Sequence, residues 1–276
     1  MQEAVTQENK IYTAIYGADQ ASERPPVVLI RGLGRAVEHW HGFEELVATK
    51  YPTIIFDNKG MGRSDQGLTL SVTIADFAAH LIEVLDHWNI KKAHVVGISL
   101  GGMIAIESAR RFSERILSYC AINSSANYRV GMRLSLSGIY EFAKFGFTGG
   151  RSEDSLYDVM VASTNQQKKQ EALKSWDAIR GKYGVQGFNA LCQLKAAFFF
   201  GASKDWENIQ LPGLIVVGQK DRLVPSSNST YLASKLPNAE LVEIAEAGHE
   251  LLMDAASEFL EYYERFIHSI KEPQNP

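Results

Sequence analysis

Ala93-His-Val-Val-Gly-Ile-Ser-Leu-Gly-Gly-Met-Ile-Ala-Ile-Glu-Ser-Ala-Arg-Arg111 passes from an apolar run, through Gly97-Ile98-Ser99-Leu100-Gly101, into a helix-compatible run that begins at Gly102. The apolar part, Ala93 to Gly97, reads as a buried parallel strand. A sharp strand-to-helix turn brings neighbouring backbone too close for a Cβ on either side of the serine, and Gly97 and Gly101 carry none. Such a turn exposes the Ser99 hydroxyl at the C-terminal edge of a sheet. It also leaves the Leu100 amide at a helix N-terminus, where it can stabilise an oxyanion. In a chain with 22 glycines the bare pentapeptide also fits a glycine-rich loop with an ordinary serine; the strand before and the helix after favour the turn.

Working outward, Val27-Val-Leu-Ile30 and Thr53-Ile-Ile-Phe-Asp57 are further apolar runs that end in loop residues. Between the second of these and Ala93, Ile74, Phe77, Ala78, Leu81, Leu85 and Trp88 recur at helical spacing, which predicts a crossover helix of a βαβ unit. Downstream, Ile116 to Asn123 predicts another strand. Residues 127–204 then change character, with helical patterning and no convincing strand, and read as an inserted helical cap. Strands resume at Gly213 to Gly218 and Glu240 to Ile244, separated by a helix near Ser229 to Leu236. A last helix, roughly Glu250 to Ile270, is expected to pack through Leu251, Leu252, Phe259, Tyr262 and Phe266. The expectation is an α/β fold with one doubly wound, mostly parallel sheet: a core of residues 1–126 and 205–276, and a cap of 127–204.

At 276 residues, 45% hydrophobic and 22% charged, the chain is long and apolar enough for one large buried core. A net charge of −4 offers no surplus to hold nucleic acid or an anionic membrane surface. Cys120 and Cys192 are too few for a disulfide framework or metal cluster and are expected to be plain buried thiols. Residues 1–10 lack a secretory pattern and no apolar run is long enough to span a bilayer, so the expected location is cytoplasmic.

A serine hydroxyl needs a base, and seven histidines are available. His80, His87 and His268 fall in helical segments and His94 in the strand before the serine. His39 and His41 could approach the site but precede Ser99, against the order this turn calls for, and rank second. His249, in Ala247-Gly248-His249-Glu250, follows the last strand, where loops converge over the sheet's C-terminal edge. Asp221, after the strand ending at Gly218, supplies the carboxylate that fixes the imidazole, completing the chain order Ser, Asp, His. Asp254 is a rival by proximity but should lie in the last helix, facing solvent or a local charge pair. Asn123 offers no acid at the end of its strand.

Gly97 to Gly101, Lys220-Asp-Arg-Leu-Val-Pro225 and Gly248-His249 resemble the three signature blocks of the α/β-hydrolase family. Phe56-Asp-Asn-Lys-Gly-Met-Gly-Arg-Ser-Asp65 and Arg31-Gly-Leu-Gly34 with Trp40 resemble its loops after the fourth and third strands. The resemblance implies an oxyanion hole made by the backbone amides of Leu33 and Leu100. Arg31 stands where the family usually has a histidine, and a structural pairing with an acid is favoured over a contact with an anionic substrate group. The implied activity is hydrolysis of a small-molecule carboxylic ester, lactone or thioester through an acyl-enzyme on Ser99, with no metal or organic cofactor. A carbon-carbon bond hydrolase and a ligand receptor with a slow triad are the alternatives. Tyr128, Tyr140, Phe142, Phe145, Phe147 and Phe198 to Phe200 in the cap would suit an apolar substrate, although aromatics at helical spacing are usually packing.

Overall fold

Val27 and Leu29 join one apolar cluster while Val28 and Ile30 join another, so this strand is buried on both faces and places a core on each side of the sheet. That two-sided burial is why the central strands read as continuous apolar runs rather than alternating ones. The computed structural model describes residues 1–20, 24–126, 134–147, 153–201 and 205–270. Its strands are β1 (Gln2–Val5), β2 (Tyr12–Tyr16), β3 (Val27–Ile30), β4 (Thr53–Phe56), β5 (Ala93–Ile98), β6 (Ile116–Ile122), β7 (Gly213–Gly218) and β8 (Ala239–Ile244). They form one sheet in the order β1-β2-β4-β3-β5-β6-β7-β8. The pairs β1–β2 and β2–β4 are antiparallel and every other pair is parallel. The doubly wound parallel sheet is as expected; the N-terminal hairpin β1–β2 is an addition that the apolar runs did not announce.

The helices are α1 (Phe43–Ala48), α2 (Ile74–His87), α3 (Leu100–Arg111), α4 (Leu136–Phe147), α5 (Glu153–Met160), α6 (Gln166–Tyr183), α7 (Gly187–Phe199), α8 (Ser227–Lys235) and α9 (Leu251–Ser269). Helix α2 starts at a reciprocal cap, Thr73 with Asp76, and buries Ile74, Phe77, Leu81, Val84 and Leu85 in the cluster it shares with α3. On the other face, α1 and α9 meet through Phe43 and Phe259, whose ring centroids are 5.9 Å apart. Helix α9 buries Tyr263 where the spacing had favoured Tyr262. A break at Ala255 (φ −142°, ψ 41°) interrupts the helix, and beyond it Phe259, Tyr263 and Phe266 run in register.

Between β6 and β7 the described residues form α4 to α7 and no strand. The expected boundaries at 127 and 204, Tyr128, and the side chains of Phe142, Phe145 and Phe147 lie outside the described residues. Of the other aromatics expected to matter there, Tyr140, Phe198 and Phe199 are exposed, and only Phe200 is buried, against Trp206. Helix α7 turns an unexpected face inward: Asn189, Cys192, Gln193, Ala196 and Ala197 are buried while Phe188 and Leu191 are exposed. Cys120 and Cys192 are both free and buried. No described helix is long and apolar enough to cross a membrane.

Candidate active site

The chain leaves β3 for β4 on one side and β5 on the other, so a crevice opens at the C-terminal ends of β3 and β5. Ser99 follows β5 directly and has φ 55°, ψ −113°, a strained backbone for a residue with a side chain. A Cβ on Gly97 would stand 2.0 Å from the Gly101 carbonyl oxygen, and one on Gly101 would stand 2.2 Å from that of Ile30. The two glycines are therefore needed for the close approach that the sequence pattern suggested. The Ser99 amide donates to the Ile122 carbonyl (2.8 Å), and the Ser99 carbonyl accepts from the Gly102 amide (3.0 Å) and the Ser124 hydroxyl (2.8 Å). Leu100 opens α3, so its amide is one of those without a partner inside the helix.

Gly32, after β3, lies against this turn; a Cβ there would be 3.4 Å from Ser99 Cβ. Leu33 is the next residue, in a turn closed by the Arg35 amide on the Gly32 carbonyl (3.3 Å). The turn is held from the helical insertion: the Gly34 amide donates to Gln193 Oε1 of α7 (3.0 Å). Gln193 was not singled out by its sequence context, and only its position on the inward face of α7 reveals it. Asp57 closes the neighbouring loop, accepting from the Val37 (2.7 Å) and Arg63 (2.8 Å) amides, and burial pushes its carboxyl up to about 7.

Asp221 and His249 meet at 2.8 Å, Oδ2 to Nδ1, with side chains 0% and 3% exposed. The second Asp221 oxygen accepts from the Leu223 and Val224 amides, both at 2.8 Å, which orients the carboxylate toward the ring. The neighbouring cations are engaged elsewhere. Lys220 pairs with Glu246, and Arg222 donates to the carbonyls of Asp158 and Val161 in the insertion.

Asn123 ties these loops together. It follows β6 with φ 48°, a left-handed conformation that asparagine tolerates better than most residues. Its Nδ2 donates to the Gly248 (2.8 Å) and His249 (2.9 Å) carbonyls, and its Oδ1 accepts from the Gly218 amide (2.8 Å). One side chain thus holds the loop bearing His249 and the end of the strand that leads to Asp221. Asp254 departs from expectation. Among the described residues it pairs with no cation, and it accepts from the Gly248 (2.8 Å), Ala162 (2.9 Å) and Ser163 (2.9 Å) amides, the last two in the insertion.

Arg31 pairs with an acid as favoured, but one 219 residues away: its terminal Nη2 donates to both oxygens of Glu250, each at 2.8 Å. Burial raises the Glu250 carboxyl, but Arg31 and Arg35 outweigh it and hold the group down to about 2. A cavity of about 470 Å³ opens beside this pair, lined by Arg31, Trp40, His41, Tyr157, Glu250 and Leu252 among others. Ser99, Asp221 and His249 are not among its lining residues. His39 and His41 border it in local roles. The His39 ring bonds to Ala36, His41 Nε2 accepts from Trp176 Nε1 (3.2 Å), and burial lowers both rings, His41 to about 4. His94 pairs with Ser118 (2.7 Å), and burial lowers it to about 4 as well. Among the described residues no group of three or more His, Cys, Asp or Glu could hold a metal ion.

Comparison with known proteins agrees with the fold. A family model described as the alpha/beta hydrolase fold matches residues 25–256. A protein of Pseudomonas syringae pv. syringae named for carbamate hydrolysis, RutD, is 29% identical over 245 residues, covering 85% of this chain and 90% of that protein. An alpha/beta hydrolase from a Medee basin deep-sea metagenome library superposes with a TM-score of 0.82 at 23% identity, covering 100% of both chains. The enol-lactonase of Burkholderia xenovorans LB400 superposes with a TM-score of 0.79 at 19% identity, covering 97% of this chain and 100% of that one.

Proposed function

The chain belongs to the α/β-hydrolase fold family, and from that premise we propose that it is a serine hydrolase cleaving a small-molecule ester, lactone or thioester through an acyl-enzyme on Ser99. The observation that carries this reading is the buried 2.8 Å Asp221–His249 hydrogen bond, on the sheet edge to which β5 delivers Ser99. With Nδ1–H donating to Asp221, the other ring nitrogen keeps its lone pair and serves as the base.

In the proposed cycle Ser99 attacks the acyl carbon as His249 takes its proton. The amides of Leu100 and Leu33 stabilise the oxyanion, and protonated His249 returns the proton to the leaving group. Water, deprotonated by His249, then releases the acid. Carbamates are cleaved by the same acyl chemistry, so the substrate reading of RutD is compatible with it. The helices between β6 and β7, as a cap over this edge, would shape the substrate pocket.

The test is mass spectrometry after treatment with a fluorophosphonate. Wild type is expected to carry one adduct on Ser99, and Ser99→Ala and His249→Ala none. A folded wild type that stays unlabelled would overturn the reading.

A further inference from the structure

Arg31 stands two residues before Leu33 and Glu250 one residue after His249, so their ion pair joins the loop offering an oxyanion amide to the loop offering the base. Both side chains are 4% exposed. Two contacts hold Arg31 in place. Its guanidinium lies 4.8 Å over Trp40, and its carbonyl accepts from Asn58 Nδ2 (3.2 Å). That carbonyl lies beside the turn that carries Ser99, 3.0 Å from where a Cβ on Gly101 would be.

A third charge reaches the pair from the side of the insertion. Arg35 Nε is 3.4 Å from Glu250 Oε1, while the Arg35 guanidinium lies 4.1 Å over Trp176 of α6 and donates to Met160 Sδ at 3.3 Å. The Glu250 amide also donates to the Met160 carbonyl (2.8 Å). Glu250 is thus where the base loop, the oxyanion loop and the insertion meet.

Stability alone is a poor reason for this cluster. Taking two charges out of water costs much of what their attraction returns, and an apolar pair of similar volume is often as stable. What apolar packing lacks is direction: a charged nitrogen shared between two carboxylate oxygens fixes both a distance and an angle.

We propose that Arg31 and Glu250 are positioning residues that set the Leu33 amide and the His249 ring against Ser99, with Arg35 registering the insertion on the same carboxylate. This rests on the reading of Ser99 as nucleophile. The reaction is sensitive to such placement, since a displacement of about 1 Å costs on the order of a hundredfold in rate.

The test compares wild type, Arg31→Gln, Arg31→Lys and the double variant Arg31→Met/Glu250→Met by thermal unfolding, rate of fluorophosphonate labelling, and kcat and KM on p-nitrophenyl acetate. The double variant removes both charges of the pair but leaves Arg35 without its carboxylate, so it is expected to melt below wild type while remaining folded at the assay temperature. Its labelling rate and kcat should fall about tenfold or more with KM changed less than about threefold, the signature of an interaction that acts on the transition state. Arg31→Gln should fall likewise. Arg31→Lys keeps a charged nitrogen for Glu250 but not the guanidinium over Trp40, and should recover part of the rate that Arg31→Gln loses. A folded double variant that matches wild type in labelling and kcat would overturn the proposal, as would a change confined to KM. Should the double variant not fold, Arg31→Gln at the wild-type rate would overturn it on its own. An unlabelled wild type would overturn the Ser99 reading and this inference with it; a labelled wild type matched by its variants overturns this inference alone.

Discussion

Replacing Asn123 by alanine removes three buried hydrogen bonds at once, those to the Gly248 and His249 carbonyls and from the Gly218 amide. Each stranded partner is buried backbone, so each loss costs about 1 kcal/mol, and alanine at φ 48° adds about 1 kcal/mol of strain that asparagine largely escapes. The total is about 4 kcal/mol. An unfolding entropy of about 2.1 cal/mol/K per residue over 276 residues converts this to a Tm lower by about 7 °C. Asn123→Gly loses the same bonds without the strain and should melt about 2 °C above the alanine variant. Because the freed loop carries His249, kcat should fall by on the order of a hundredfold, well beyond what reduced stability explains in a protein that is still folded at the assay temperature. Circular dichroism melts and p-nitrophenyl acetate turnover read the two effects separately. An alanine variant that loses less than about 1 kcal/mol and keeps kcat within about twofold would refute the view that Asn123 holds the base loop in place.

Two further outcomes follow from the same geometry. Gln193→Ala frees the Gly34 amide in the turn of Leu33, proposed above to supply an oxyanion amide, so kcat should drop about fivefold to tenfold with Tm lowered by only a few degrees; an unchanged kcat would separate α7 from the reaction. The Glu250 carboxyl is held at about 2 against an ordinary 4.5, so its folded value lies below its unfolded one. Its contribution to stability, on the order of 3 kcal/mol, is present above about pH 4.5 and lost as the pH falls toward about 2. Wild type should lose Tm more steeply than Glu250→Gln across that window, and parallel curves would contradict the assignment.

The parallel strands from Val27 to Ile244 were legible because burial on both faces makes them apolar runs, and the candidate site was legible because its residues follow those runs. Ser99, Asp221 and His249 each stand just beyond a strand end, where chain order and turn chemistry could find them. The hairpin β1–β2 was not. Strand β1 is mostly exposed and has no apolar run, although Tyr12-Thr-Ala-Ile-Tyr16 is rich in strand-forming residues. Helix α7 misleads any reading by hydrophobicity, because it buries Asn189 and Gln193 to satisfy loop backbone and leaves Phe188 and Leu191 exposed. Tyr263 replaced Tyr262 in the core because periodicity carries no notice of the break at Ala255. Asp254 enters the sequence reading only as a rival acid and Asn123 only as a strand end without an acid, whereas their partners are backbone amides and carbonyls that no spacing rule lists.

Those misses share a physical cause that bears on how such a site works. Apolar periodicity places strands and helices, but it leaves the loops at their ends free over distances that matter for proton transfer. Here the remaining freedom is removed by polar side chains bonded to loop backbone, most of it far away in sequence: Asn123 to the loop of His249, Gln193 to the turn of Leu33, and Asp254 to the 162–163 segment and to nearby Gly248. Gly248 shows how tight the fit is, since a Cβ there would be 2.8 Å from the Met160 carbonyl oxygen. The insertion is therefore bonded to the loop of His249 through its 160–163 segment. A displacement of that segment must carry His249 with it or break the Glu250–Met160 and Asp254 hydrogen bonds. Changes in the insertion that alter the 160–163 segment are accordingly expected to act on kcat, while changes on the exposed face of α7 are expected to leave the loop of His249 where Asn123 holds it.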